Sequence, residues 1–570
     1  MKTLSRRRFL KAAGVGATAS LLAACQPKVV EKIVKETVEV EKVVEKEVEK
    51  VVKETVIIEG ESKVVEKVVT TTPAAVAPME ILTWRWVPGT AGSSAIPVPD
   101  DDCMVKTDIE KALNIKLNIW WLERGTYVEQ LSTRAAGGEV VDYPAAASSA
   151  FYDQGLVGKI TITDFAIHCP RFFQEEAKFD DGSLECFYGG LYNGVRYTYG
   201  YYSINNLFPF TMGWRKDALD KAGLGVPSTL DEMEAALKKF VDDGLFKYGV
   251  RYRGGDFMAH VGAEVGAAYG AIPMLWTDDG QGGVVSGYMH PAHQQAMQKL
   301  QEWYKAGLIH PESATTKNTE YGAAFCQGEF GVATHATWYR LLPGGEYYEC
   351  ITPQGWELAL GPAPKGPNGD YGYPSWGKGN GGETIGSHVD RDSAKKAKIL
   401  ELIELVNADY EWATYVRYGK EEHRYRNETG ALYMKATDQL GIDPKKLGAG
   451  SIFSGYGATP TICFDWLGED FPNIFKNSGQ GTMKYLADIG KIADMTPCKD
   501  YTELGATNDK WRLDFLTGAK DPTNDWDQYV NEYMAAGGEC QLGQMELALI
   551  NKQALDKSIR SEVEGLLQNI

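Results

Sequence analysis

Between Lys28 and Thr72 the chain nearly runs out of residue types. "VVEKIVKETVEVEKVVEKEVEKVVKETV", from Val29 to Val56, holds only valine, isoleucine, glutamate, lysine and threonine. It contains no aromatic residue, glycine or proline. Such a segment has nothing large with which to fill a core, so whatever folds compactly must lie beyond it. Apolar pairs recur at Val29-Val30, Ile33-Val34, Val43-Val44, Val51-Val52, Val64-Val65 and Val68-Val69. Their intervals fit neither a strict heptad nor alternation. Glutamate and lysine favour helix, and β-branched valine resists it. The segment is read as a low-complexity spacer, helical or weakly coiled-coil where it takes structure. About 40 helical residues would span on the order of 60 Å. "TTTPAAVAP", Thr70 to Pro78, then reads as a hinge.

What precedes the spacer is a targeting segment. Arg6, Arg7 and Arg8 form a positive region, and the apolar run Ala12 to Ala24 is rich in small residues. That run is far short of the roughly 20 residues a membrane span needs. Ser5-Arg6-Arg7-Arg8-Phe9-Leu10-Lys11 resembles a twin-arginine export signal, and Leu22-Ala23-Ala24-Cys25 resembles a bacterial lipobox. The resemblance implies cleavage before Cys25, lipidation of its thiol, and a protein held at the outer face of the cytoplasmic membrane. An ordinary signal peptide with an incidental cysteine is the plainer alternative. The chain therefore divides into a signal peptide (1–24), an anchored stalk and linker (25–78) and a body (79–570).

Loss of residues 1–24 removes five cations (Lys2, Arg6, Arg7, Arg8, Lys11), taking the formal charge from −18 to −23. That balance excludes nucleic acid and an anionic lipid surface as partners, and suits a neutral or cationic ligand. Eight cysteines remain beside Cys25: 103, 169, 186, 326, 350, 463, 498 and 540. An even number in an exported protein permits disulfides, without indicating the pairing. None stands in a C-x-x-C pair or at zinc spacing to histidine, so no metal site is expected.

The body opens with "MEILTWRW", a first strand from Met79 to Trp86. A helical stretch follows, then a second strand, Ile115 to Trp121. A further helix and a short strand near Val140 to Ala145 come next. Strands alternating with helices point to an α/β body with parallel strands. "VPSTLDEMEAALKKF" starts a helix sharply. Thr229 caps it, Glu232 reaches back, and Leu230, Met233, Leu237 and Phe240 form the apolar stripe. "HQQAMQKLQEWYKAGLI" and "AKKAKILELIELV" are two more amphipathic helices.

Several of these segments together resemble a known family, the extracellular solute-binding proteins of bacterial ABC importers (family 1), nearest to the larger LplA-like oligosaccharide-binding lipoproteins. "GWRKDALDKAGLGVPSTLDEMEAALKKF" carries most of the likeness. "RAAGGEVVDYPAAA", "LQEWYKAGLIHPE", "FCQGEFGVATHATWY" and "FLTGAKDPTNDWDQYVNEYMAAGG" follow in order. The resemblance implies a two-lobe periplasmic-binding-protein-like fold of type II, with a hinge and an interlobe cleft. Lobe 1 would comprise about 79–210 and 361–408, and lobe 2 about 211–360 and 409–570. It also implies carbohydrate as ligand, ABC permease subunits as partners, and the bilayer as a partner through acylated Cys25.

A sugar offers apolar C–H faces and a rim of hydroxyls, so its site combines aromatic rings with a few placed polar groups. The chain has 14 tryptophans and 30 tyrosines. Ligands of open α/β sheets lie beyond the carboxyl ends of strands. That rule selects Trp84 and Trp86, which share a side of the first strand, with Arg85 between them. Trp338 stands where relatives carry a cleft tryptophan, and Trp376 lies in a glycine-rich loop. Phe151 and Tyr152 follow the third strand; Asp142 and Arg85 can bond hydroxyls. Glu383 and Asn380 are further polar candidates. At most one of Trp120 and Trp121 can reach a cleft, because consecutive strand residues face opposite ways. Trp303 reads as core; His260, His290, His293 and His310 read as solvent-facing or capping residues.

A secreted polysaccharide hydrolase or lyase would also want aromatics and a pair of carboxylates. The chain carries no H-E-x-x-H, G-x-S-x-G or Walker loop. A binding protein without catalytic residues or cofactor is the reading adopted. A surface glycan-binding lipoprotein with no transport role differs from it only in partner.

Overall fold

The computed structural model describes residues 48–58, 61–71, 77–87, 97–123, 125–144, 149–180, 182–192, 195–202, 210–252, 261–316, 318–342, 345–375, 377–381, 383–453, 457–470, 485–487 and 490–570. Residues 1–77 and 78–570 form two separate units.

The first unit departs from the helical spacer expected. Val48–Ile58 and Glu61–Thr71 are antiparallel strands in continuous register, from Val48 opposite Thr71 to Ile58 opposite Glu61. The β-branched residues that weaken a helix are those most at home on a pleated strand, and they outweigh glutamate and lysine. Residues 1–24, read as a signal peptide, and Cys25 lie outside the described residues.

The body, 78–570, is α/β with two main hydrophobic cores, as a two-lobe fold requires. In the first core, strand Met79–Trp86 pairs in parallel with Ile115–Leu122, from Met79 beside Ile115 to Trp86 beside Leu122. The helix Met104–Leu113 makes the crossover between them. Ile81, Ile109, Leu117, Phe165, Phe172, Leu402 and Ile403 are buried together there. The strand expected near Val140 to Ala145 reduces to a single parallel bridge between Tyr143 and Thr83.

The second core departs from the parallel expectation. Its central strand Phe210–Arg215 lies antiparallel to both Val332–Thr337 and Leu358–Gly361. The helix Leu230–Asp242 starts as its sequence dictates. The Thr229 hydroxyl accepts the Glu232 N–H, and the Glu232 carboxylate accepts the Thr229 N–H. Leu230, Met233, Leu237 and Phe240 are buried against Trp214 and the helix Pro291–Lys305. Trp303 is core, as read. Each such side chain, once fully buried, contributes roughly 1.5–3 kcal/mol through the apolar area it removes from water.

The division of the chain between cores also differs from expectation. Within 409–570, which was assigned to the second lobe, Val416, Leu440, Leu447, Ile452 and Leu467 pack into the first core. Among the described residues of 409–570, the stretch Leu504 to Met534 joins the second. The last helix, Glu539–Leu567, joins a small separate cluster and the first core. Met545 packs with Val284 and Ala493, and Ile559 and Val563 enter the first core. Arg560 donates to the Gly182 carbonyl at 2.9 Å. Just before the helix, Gly537 has φ +130°, and a Cβ there would meet Tyr501 Cβ at 2.4 Å, so only glycine fits this joint. A disulfide, Cys498–Cys540, fastens the same end, and a second joins Cys326 to Cys350. Cys103, Cys169, Cys186 and Cys463 are buried free thiols.

Candidate functional site

The carboxyl end of strand Met79–Trp86 is where chemistry collects. Alternation turns Trp84 and Trp86 to one side and Thr83 and Arg85 to the other. Trp84 is buried with Leu122, Leu131, Val141, Phe151 and Val157. It is the floor of this side rather than its surface. Phe151 is buried in the same floor. Trp86, half-buried, meets Trp84 edge-on at 4.6 Å and Tyr127 at 4.4 Å. Tyr127 leans on Trp84 at 5.0 Å and reaches Phe151 at 6.1 Å. In the same cluster Tyr152 stacks on Tyr192 at 4.6 Å and meets Tyr197 edge-on at 4.9 Å. Burial pushes the Tyr152 hydroxyl up to about 12, with Tyr192 and Tyr197 adding to it, so it stays a neutral donor. Beside it the Asp153 carboxylate accepts from the Tyr192 hydroxyl and from Lys499. Half-buried rings on a packed aromatic floor offer apolar area without side-chain freedom to lose.

On the other side Arg85 is 5% exposed. Its Nε donates to the Ile452 carbonyl, and Nη1 donates to Thr83 Oγ1 at 3.0 Å and the Trp84 carbonyl at 2.9 Å. The Tyr143 ring lies 5.0 Å and the Phe453 ring 4.5 Å from the guanidinium. Burial lowers the affinity of Arg85 for its proton, and the charge of Glu383 works the other way. The Glu383 carboxyl is itself pushed up to about 7 by desolvation, against the pull of Arg85.

Asp142 is committed elsewhere. Its Oδ2 accepts the Leu82 N–H at 2.8 Å; its Oδ1 accepts Lys395 Nζ at 3.0 Å and lies 2.7 Å from His388 Nε2. It fastens the sheet edge and the helix Ser393–Ala408 together instead of facing outward. Trp338 opens the short helix Trp338–Leu341, with its side chain outside the described residues, as is that of Asn380. Trp376 lies wholly outside them. Trp120 is covered by Arg134 at 4.1 Å, and Trp121 packs on the first core, facing opposite ways as expected. His290 and His310 cap helices, as read. His293 corrects that reading: it is fully buried among Tyr288, Trp526 and Tyr529. His260 lies outside the described residues.

Sequence reasoning missed Tyr127, Tyr192, Tyr197, Tyr143 and Phe453. Tyr127 opens the helix that follows the second strand, so the carboxyl-end rule could have found it. Tyr192, Tyr197 and Phe453 arrive from distant segments and carry no local signal.

No curated protein sequence matches the chain. Among solved structures, a human-milk-oligosaccharide-binding, ABC-transporter-associated solute-binding protein from Bifidobacterium longum infantis superposes with a TM-score of 0.58 at 15% identity. The match covers 83% of this chain and 99% of that one. FusA of S. pneumoniae in complex with kestose gives 0.59 at 15% identity, over 83% of this chain and 99% of that one. The N-glycan transport protein NgtS of S. pneumoniae gives 0.56 at 16%, over 82% and 98%. Identities this low show a shared fold. The family described as bacterial extracellular solute-binding protein matches residues 105–378, and this family and the neighbours are substrate-binding proteins, not enzymes. Over residues 105–378 the chain thus matches the bacterial extracellular solute-binding proteins, and over most of its length it shares their fold.

Proposed function

We propose that the protein captures a carbohydrate, an oligosaccharide, outside the cytoplasmic membrane and delivers it to an ABC importer permease. The observation that carries this reading is the half-buried aromatic surface of Trp86, Tyr127, Tyr152, Tyr192 and Tyr197 beyond a strand's carboxyl end. Rings held in this way stack on the C–H faces of sugars, and the polar groups around them bond hydroxyls. FusA and NgtS, which share the fold, have been solved with kestose and with mannose-containing glycans. In this reading Trp338 supplies the second lobe's share of the site, Trp376 adds to the first lobe's, and the lobes close over the ligand about the hinge. Acylated Cys25 anchors the chain, and the segment up to Pro78 sets the body off the membrane. ATP is hydrolysed on other subunits of the importer.

Titration of the purified chain with an oligosaccharide panel, followed by tryptophan fluorescence, tests the reading. A saturable change for at least one sugar is expected, weakened at least tenfold in Trp86→Ala. Stoichiometric binding with no cleavage products on prolonged incubation separates capture from hydrolysis.

A further inference from the structure

Arg85 is a charged group that the fold has locked in place but not satisfied. Three acceptors fix the plane of its guanidinium through Nε and Nη1, yet Nη2 is buried and has no hydrogen-bond partner among the described residues. No carboxylate among those residues lies within ion-pair distance of it. A buried cation with no carboxylate in ion-pair contact is costly, and arginine cannot shed its proton to escape the cost. The neighbourhood repeats the deficit. The Tyr143 ring lies 5.0 Å from the guanidinium, and its hydroxyl is buried with no partner. So are the hydroxyls of Thr384, next to Glu383, and of Ser451, next to the Ile452 carbonyl that holds Arg85.

Unmet groups of this kind call for an explanation. All four can donate, and Nη2 can only donate. Their complement is a group rich in acceptors and carrying negative charge. A carboxylate has that character, and a desolvated, pre-oriented guanidinium is its strongest neutral-pH partner. Glu383 acts on Arg85 through its charge but makes no ion pair with it. Phe453, half-buried, lies 4.5 Å from the guanidinium. The aromatic surface of Trp86 and Tyr127 stands on the opposite face of the same strand end. A ligand lying across that end meets rings on one side and Arg85 on the other.

We infer that Arg85 and Tyr143 form a carboxylate-recognising subsite, so that the carbohydrate captured is an acidic one bearing a uronate. This rests on the carbohydrate reading above and narrows it. The formal charge of −18 does not oppose it at contact. Surface charges are screened over about 8 Å at physiological salt, whereas a buried cation is screened much less.

The test is calorimetric titration of the full chain at pH 7 with trisaccharides of galacturonate, glucuronate and mannuronate. Their carboxyl-reduced neutral counterparts and sodium acetate serve as controls. At least one uronate is expected to bind, at least tenfold tighter than its neutral counterpart, with acetate alone too weak to saturate. Arg85→Gln should abolish the preference for the acid, and Arg85→Lys should fail to restore it. Tyr143→Phe, which keeps the ring, should narrow the preference severalfold and serves if the arginine variants do not fold. Equal or tighter binding of neutral sugars, or an unchanged preference in Arg85→Gln and Tyr143→Phe, overturns the inference while leaving carbohydrate capture intact. If no saccharide of either kind binds, both readings fall together.

Discussion

Of the basic side chains buried among aromatic rings, His293 and Arg85 are built to opposite ends. In the second core His293 is fully buried beside Tyr288, Trp526 and Tyr529, and neither ring nitrogen has a partner. Arg512 lies close enough to repel its charge, and burial with that repulsion brings His293 down to about 3. The imidazole simply stays neutral, and the helices Pro291–Lys305, Leu504–Thr517 and Trp526–Tyr533 close around it. Arg85 has no such escape. The difference separates a core from a site: in the core, proton loss removes the conflict, and at the strand end the conflict is kept.

The comparison can be attacked from the core side first. Phe515 packs on Trp511, Trp526 and Tyr529 with no exposure. Phe515→Ala should cost about 3–5 kcal/mol in urea unfolding, through lost burial and the cavity left behind.

Acid should act next. The folded pKa of His293, about 3, lies below its unfolded value of about 6.5. Between the two, the unfolded chain binds more protons, so stability is fully present above pH 6.5 and falls as the pH drops toward 3. Between pH 7 and pH 4.5 the loss from this residue should be about 2–3 kcal/mol. His293→Leu should flatten that part of the profile, and a profile no flatter would mean the residue is not held neutral.

A smaller effect belongs to Asp142. Asp142→Ala strips the Leu82 N–H, Lys395 and His388 of their common acceptor and should cost about 2 kcal/mol, read as a lower melting temperature. Ligand affinity should change only in step with folding.

Arg85→Met is expected to move stability least. Replacing a buried charge by an apolar group of similar length should leave it within about 1 kcal/mol or raise it, although the preference for an acidic sugar is lost. A large loss would show that Arg85 is structural, and the contrast with His293 would collapse.

Much of this was legible locally. The capping box at Thr229, the stripe ending at Phe240 and the core role of Trp303 are read from spacing because neighbours along a helix decide them. Alternation likewise put Trp84 and Trp86 on one side of their strand. What failed depended on distant pairing. The valine-rich segment forms a hairpin because two stretches meet, and neither stretch announces the other. The second core is antiparallel because the segment at 332–337 and the one at 358–361 both return to Phe210–Arg215. The stretch 409–467 joins the first core by crossing back, which no local period records. Asp142 was taken for a ligand contact because an acid in a turn looks the same whether it faces a guest or a backbone amide. Of the aromatic surface, only Trp86 and Tyr152 were found, since Tyr192 and Tyr197 come from a later segment.

The terminal helix Glu539–Leu567, at roughly 1.5 Å per residue, is a rod of about 43 Å. One end is riveted by Cys498–Cys540 and Met545, and the other by Ile559, Val563 and Arg560. A strut pinned at both ends does not stretch. Its length therefore holds the cluster around Met545 and the first core at a fixed separation.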